Sequence, residues 1–259
     1  MRLFDAHLHI IDPRFPLSAN QGYLPPTFTV ADYLDLVQPL GVAGGAVVSG
    51  SFQGFDQSYL EDALARLGPG FVGVVQLPLD TQAPEIRRLD ALGVRAVRFN
   101  LRRGVHSRLP DMLALAHRAH EAAGWHAELY LDAVEIPRLR GWLGELPAVC
   151  IDHLGLSRAG FAHLLGLVES GAWVKASGFG RIDFPVADAL AELCRTSPSR
   201  VLWGSDLPGT RAPRPFHPRD LDLVAGALGD PALTLSVILG NAGGLYRPPG
   251  VPPHRSLGV

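Results

Sequence analysis

Leu3-Phe4-Asp5-Ala6-His7-Leu8-His9 is the stretch on which the reading of this chain turns. Residues two apart on a strand point to the same side. His7 and His9 would therefore set two imidazoles side by side at the end of a strand that begins with the apolar Leu3 and Phe4. Two adjacent buried imidazoles are costly without a partner. An isolated strand histidine is usually a satisfied core residue, but this pair points to a site.

Working outward, short apolar runs alternate with amphipathic stretches. Strands are expected at 3–9, 45–51, 71–77, 94–100, 126–131, 148–153, 172–177 and 200–206. Cores such as Gly45-Ala-Val-Val-Ser49 and Ala148-Val-Cys-Ile-Asp152 are too continuous for a half-exposed sheet and suit parallel strands covered on both faces. Helices are expected at Val30–Leu40 after the N-cap type Thr29, Gln57–Leu67 before Gly68, Pro84–Leu92 before Gly93, and Pro110–Ala123 before Gly124. Val134–Leu143, Ala159–Glu169, Val186–Cys194, Pro218–Leu228 and Leu233–Leu239 continue the series. Eight strands, each followed by a helix, in 259 residues predict an α/β fold, a single (β/α)8 TIM barrel. The runner-up, a doubly wound sheet, lacks a glycine-rich fingerprint after strand one. The barrel would span 1–246 and a proline-rich tail 247–259, wrapping the surface or fraying.

A net charge of −2 gives no electrostatic case for nucleic acid or a membrane surface. No apolar run approaches the roughly 18 residues of a membrane span, and no charged-then-apolar leader opens the chain. A cytoplasmic location is the expectation. Cys150 and Cys194, the only cysteines, form no CxxC pattern and read as buried thiols. A homodimer is expected only from the general frequency of two-fold oligomers.

In a parallel barrel the chemistry lies at the C-terminal ends of the strands. Those ends offer His7 and His9, Ser49 and Ser51, Arg98 and Asn100, Glu128, Tyr130 and Asp132, Asp152 and His153, Lys175 and Ser177 with Arg181 beyond, and Ser205 and Asp206. Bland readings stand beside these. Arg98 could bridge to a neighbouring carboxylate, Lys175 could sit in a buried structural pair, and Asp206 could be a turn residue before proline. The remaining histidines weighed, His106, His117, His120, His126, His163 and His217, read as surface residues. His7, His9, His153 and Asp206 have two chemical uses. They could hold a divalent metal that generates hydroxide, zinc or manganese by ligand type. Without a metal, the histidines could polarise an ester carbonyl while Asp206 acts as general base on water.

Asp5-Ala-His-Leu-His9, Ile151-Asp-His-Leu-Gly155, Trp203-Gly-Ser-Asp-Leu-Pro208 and Gly240-Asn-Ala-Gly-Gly-Leu-Tyr246 together resemble the amidohydrolase superfamily, in its "amidohydrolase 2" branch. Within it, Tyr23-Leu-Pro25, Val97-Arg-Phe-Asn100, Trp125-His-Ala-Glu-Leu-Tyr130 and Lys175-Ala-Ser-Gly178 with Arg181 look most like the 2-pyrone-4,6-dicarboxylate lactonases and related sugar-lactone enzymes. The resemblance implies a hydrolase of small anionic lactones. Tyr23, Ser51, Arg98, Tyr130, His153 and Arg181 would contact a carboxylated lactone, with Arg98 and Arg181 clamping carboxylates. Asp206 would activate water, and no metal would be needed. Metal-bearing relatives usually supply Lys or His on strand five. Here Tyr130 stands at the outward end, with Glu128 a layer deeper, so the metal alternative is His7, His9 and Asp206 with Glu128 as substitute. A metal-dependent hydrolase or decarboxylase and a metal-independent lactone isomerase are the alternative activities. The lactonase pattern has an arginine where Gly104 stands, for which Arg102 or Arg103 could substitute, an aromatic residue at Leu207 and a histidine at Gly209. The pocket floor is thus related and the rim differs.

Overall fold

The computed structural model describes residues 2–104 and 108–248. Eight parallel strands run in chain order: β1 (Leu3–Leu8), β2 (Val42–Val48), β3 (Phe71–Val75), β4 (Val94–Asn100), β5 (His126–Tyr130), β6 (Val149–Ile151), β7 (Trp173–Ala176) and β8 (Val201–Trp203). Between them lie α1 (Val30–Val37), α2 (Ser58–Leu67), α3 (Ala83–Ala91), α4 (Leu109–Ala123), α5 (Ile136–Glu145), α6 (Phe161–Glu169) and α7 (Val186–Thr196). After β8 come α8 (Arg219–Leu228) and α9 (Pro231–Leu235), a π-helical turn (Ser236–Gly240) and α10 (Asn241–Leu245). The fold is the single (β/α)8 barrel that the sequence pattern predicts.

Local chemistry sets the element ends. Thr29 caps α1 in a reciprocal box with Asp32. Pro39 lacks a backbone donor, and the expected helix over 30–40 tightens into a 3-10 turn over its last three residues. The strands end earlier than the apolar runs suggested. β2 covers 42–48 rather than 45–51, leaving Ser51 to open a 3-10 turn, and β6 stops at Ile151 rather than 153. The chain leaves the sheet as soon as its side chains turn into the mouth of the barrel. Of the histidines read as surface residues, His126 is corrected: it is buried on β5 at 3% exposure, facing the lumen. His106 lies outside the described residues, as does the tail over 249–259.

The lumen is filled from below by Phe4, Ala6, Ala46, Val48, Val72, Val74, Ala96, Cys150, Trp173 and Leu202, and is plugged by Leu245 and Tyr246 after β8. A second, larger apolar layer lies between sheet and helices. The register of β1 on β2 shifts between Asp5 and Leu8. This bulge lets His7 and His9 face the lumen above Phe4 and Ala6 while Asp5 faces out. Cys150 and Cys194 are both free and buried. No helix among the described residues is long and apolar enough to cross a membrane.

The seam between β8 and β1 is closed by a few specific bonds. Asp206 donates its N–H to His7 O at 2.7 Å, and His9 donates to Leu207 O at 2.8 Å. The Asp5 carboxylate accepts from the Ser205 amide at 2.7 Å, the Ser205 hydroxyl at 2.5 Å and the Tyr33 hydroxyl at 3.1 Å. Gly204 passes so close that a Cβ would stand 2.7 Å from His7 N. Gly204→Ala should therefore cost about 1–3 kcal/mol, read by urea unfolding; an unchanged midpoint would show that the seam has slack. Burial outweighs these hydrogen bonds and raises the Asp5 pKa to about 6 from 3.8. The native state then takes up a proton, as pH falls from 7 to 5, that the unfolded chain does not. This group adds stability over that fall, about 1 kcal/mol. Asp5→Asn should abolish this increment in unfolding measured at both pH values; an identical pH dependence in the variant would refute it.

Candidate active site

The deepest layer of the site is a buried charge network. The Lys175 ammonium on β7 lies 2.5 Å from Glu128 Oε2 and 3.5 Å from Asp152 Oδ1. Glu128 Oε1 accepts from the Tyr246 hydroxyl at 2.5 Å and stands 3.3 Å from His126 Nε2. Burial, the largest single influence, would raise the Glu128 pKa, but the Lys175 charge and the His126 hydrogen bond together overcome it and hold the group at about 2. Asp152 likewise sits well below its ordinary value: burial is overcome by His7, Lys175 and Arg98. Arg98 on β4 donates Nε and Nη2 to Asp152 Oδ2 at 3.3 and 2.9 Å, and Nη1 to Ser49 O at 2.8 Å. The bland readings of Arg98 and Lys175 thus describe real ion pairs. Arg98 also borders the cleft above.

Over this network stand the three histidines and Asp206. Asp206 Oδ1 is 3.9 Å from His7 Nε2, 4.0 Å from His9 Nε2 and 3.9 Å from His153 Nε2. Both Asp206 Oδ1 and His7 Nε2 are buried without a hydrogen-bond partner. Asp206 Oδ2, by contrast, accepts from Arg181 Nε at 2.6 Å. Asp206 and His153 adopt left-handed backbone angles, φ 62° and 52°. Non-glycine residues pay of order 1–3 kcal/mol for sparsely populated conformations, which persist where the surroundings over-determine them.

Partners constrain the ring protons. His9 Nδ1 lies 2.7 Å from Val48 O. A carbonyl can only accept, so Nδ1 carries the proton and the Nε2 lone pair faces the cleft. His7 Nδ1 is hydrogen-bonded to the Lys175 ammonium at 3.3 Å. An ammonium can only donate and would leave Nδ1 bare with the proton on Nε2, whereas Asp152 Oδ1, also 3.3 Å from Nδ1, can only accept and would hold the proton on Nδ1. The Asp152 charge beside the ring opposes part of the effect of burial on His7. The ring of His153 pairs through Nδ1 with Ser177 Oγ at 2.9 Å. Burial, reinforced for His9 and His153 by the neighbouring His7, lowers all three imidazole pKa values. The site therefore brings Nε2 of His7, a lone pair from His9 and a carboxylate oxygen together.

His7, His9 and Asp206 bring donor atoms within 4.8 Å of one another, as do His7, Asp152 and His153. The donor types suit a divalent ion. The surroundings suit it less. Metal-bound histidine ordinarily gives its other N–H to a carboxylate or carbonyl, as His9 does to Val48 O; His7 Nδ1 meets both the Asp152 carboxylate and the Lys175 ammonium, and Arg181 holds the other oxygen of Asp206. The separations near 4 Å also exceed the ~3.4 Å edge that tetrahedral ligands 2.0–2.1 Å from zinc would span. Glu128 does not join the cluster, because Lys175 and Tyr246 occupy its oxygens.

A cleft opens above, bordered by His9, Tyr23, Ser51, Arg98, Tyr130, His153 and Arg181 among others. Every substrate-contacting residue expected from the sequence borders it, while His7 and Asp206 lie beneath. Arg103, weighed as a substitute for the missing arginine, also borders it; Arg102 turns outward to Asp132 at 3.3 Å. Arg211 was missed by the sequence reading. Its one signal was position, in the loop directly after β8.

Three comparisons bear on this geometry. The protein 4-sulfomuconolactone hydrolase of Rhizobium radiobacter is 28% identical over 94% of this chain and 89% of its own length. A D-galactarolactone isomerase of Agrobacterium fabrum (strain C58 / ATCC 33970) is 26% identical over 94% of this chain and 90% of its own. The crystal structure of a probable 2-pyrone-4,6-dicarboxylic acid hydrolase from Acinetobacter baumannii, with citric acid bound, superposes with a TM-score of 0.84 at 22% identity, covering 95% of this chain and all of that one.

The lowered imidazole pKa values make a direct prediction. In 15N NMR at pH 6.5, the ordinary histidine midpoint, His7, His9 and His153 should each be more than half neutral. A midpoint at or above 6.5 for any of them would overturn the electrostatic description. With the barrel, the histidine pair on β1, His153 after β6 and Asp206 after β8 in place, the amidohydrolase family model matches residues 4–247, and this chain belongs to that family.

Proposed function

We propose that this hydrolase opens a small carboxylated lactone by adding water across the ring ester, without a resident metal. One observation carries the reading: the buried, unpartnered Oδ1 of Asp206, ringed by three imidazoles at the floor of an arginine-lined cleft. The likeness to a lactone hydrolase over nearly the whole chain supports it.

In this reading Asp206 Oδ1 takes a proton from water as the water oxygen attacks the lactone carbonyl carbon. With Lys175 donating to its Nδ1, His7 turns an Nε2–H toward the developing oxyanion, where a preorganised donor is most effective. The ring C–O bond then breaks and the leaving oxygen regains a proton. His9 and His153 complete the wall around the carbonyl. Arg98 and Arg181 engage a substrate carboxylate, as guanidinium forks do. Tyr23, Ser51 and Tyr130 border the cleft and orient the ring. Arg181 already holds Asp206 Oδ2, which keeps Oδ1 aimed at the imidazoles. Lys175 under His7 and Arg181 on Asp206 both favour water over a divalent cation between them.

A panel of carboxylated lactones, offered to chelator-stripped protein with base uptake and products followed, tests this. Ring opening with uptake of base is expected, and Asp206→Asn should lower kcat by about 10²–10⁴-fold. Near-full activity in that variant would sink the mechanism. Conversion to an isomeric lactone without base uptake would make the protein an isomerase. Activity absent after chelation and restored by zinc or manganese would make His7, His9 and Asp206 metal ligands.

A further inference from the structure

Gly50, Ser51 and Phe52 border the cleft just beyond β2. Among the described residues the ladder bonds of β2 end at the Ser49 amide, which donates to Val74 O at 2.8 Å. Past that point three buried glutamines, Gln53, Gln57 and Gln76, take over the backbone. Gln53 Oε1 accepts from the Gly50 amide at 2.7 Å, and Gln53 Nε2 donates to Ile10 O at 2.7 Å. Gln76, one residue past β3, donates Nε2 to Gly50 O at 2.8 Å. Gln57 Nε2 donates to Gln76 O at 2.7 Å, and Gln57 Oε1 accepts from Ser49 Oγ at 3.4 Å.

The partners fix how these amides face. A backbone N–H can only donate and a carbonyl can only accept, so Gln53 fits between Gly50 and Ile10 in one orientation. Gln76 turned over would set oxygen against Gly50 O, and it keeps its donor there although its own Oε1 is buried without a partner. Both peptide groups that flank Gly50 are thereby held. A Cβ at residue 50 would overlap the Phe52 ring, so only glycine lets that ring lie over the clamped backbone. The ring packs edge-on against His9, centroids 6.2 Å apart, and Phe52 O accepts from the Ser18 amide at 2.8 Å. The exits of β1, β2 and β3 are thus tied together at one side of the cleft. Among the described residues no hydrogen bond links the glutamines to His7, His153 or Asp206.

We propose that Gln53 and Gln76, backed by Gln57, are positioning residues: an amide clamp that holds Gly50 to Phe52 as a preformed wall for the ligand. The glutamines touch no ligand themselves. A wall already in place need not be ordered when ligand arrives. Without the amides that ordering falls on binding, so affinity drops while the chemical step at Asp206 keeps its rate. Only the kinetic arm of the test rests on the lactone reading.

Gln53→Met and Gln76→Met keep the length of the side chain and remove its bonds. Each should raise KM for the hydrolysed lactone by about 5-fold or more, as loss of a buried hydrogen bond would, with kcat within about 2-fold of native. Amide hydrogen exchange at Gly50 should quicken in both, by about 10-fold or more in Gln53→Met, while Ser49 stays protected. Leu115→Ala, a truncation in the apolar layer between sheet and helices, lowers stability and should leave KM unchanged, which separates positioning from general loosening. Unchanged exchange at Gly50, an unchanged KM, a fall in kcat instead, or the same rise of KM in Leu115→Ala would each overturn the clamp. The two glutamine variants are independent, so one that fails to fold leaves the other to decide. If the native protein opens no lactone, the hydrolase reading falls, and exchange at Gly50 alone decides the clamp.

Discussion

The ammonium of Lys175, fully buried at the centre of the barrel, is the charge on which the site above it depends. Removing such an ion from water costs several kcal/mol, and only close partners offset this. Glu128 at 2.5 Å and Asp152 at 3.5 Å supply them. Asp152 in turn holds Arg98, and Glu128 is bound by Tyr246 from the helix that plugs the lumen. With Arg181 on Asp206, three cations meet three carboxylates. The floor is thereby neutral overall, yet the charges stand in fixed places, and Lys175 and Asp152 both meet Nδ1 of His7.

The seam between β8 and β1 transmits that order to the reacting groups. One segment, Gly204 to Leu207, passes within 2.7 Å of His7, donates two bonds to the outward Asp5 and turns through a left-handed residue to present Asp206. The bulge in β1 that turns Asp5 outward also turns His7 and His9 inward. Closure of the barrel and assembly of the candidate site are one structural event, and Asp206 takes its left-handed backbone at that seam.

Much of this was legible in the chain. Apolar runs interrupted by capped amphipathic segments prescribe a (β/α)8 barrel, and the barrel directs attention to strand ends, where His7, His9, Arg98, His153 and Asp206 stand. Those residues were readable because a strand end has a known direction. His126 was misread although it stands two residues before Glu128 on the strand expected at 126–131, a spacing that puts both on one face. Glu128 was placed as a substitute metal ligand because sequence shows its layer in the barrel but not the Lys175 ammonium that occupies it.

Alternation of hydrophobicity is a local property, so the sequence by itself determined the elements, their order and the end of the barrel that carries chemistry. Pairing of charges is not local: Lys175 with Glu128 joins residues 47 apart, and Arg211 meets Tyr23 from another loop. Only the tertiary structure decided which arginines are neutralised. It also decided which face of each imidazole looks into the cleft, because both depend on distances that the order of residues along the chain does not contain.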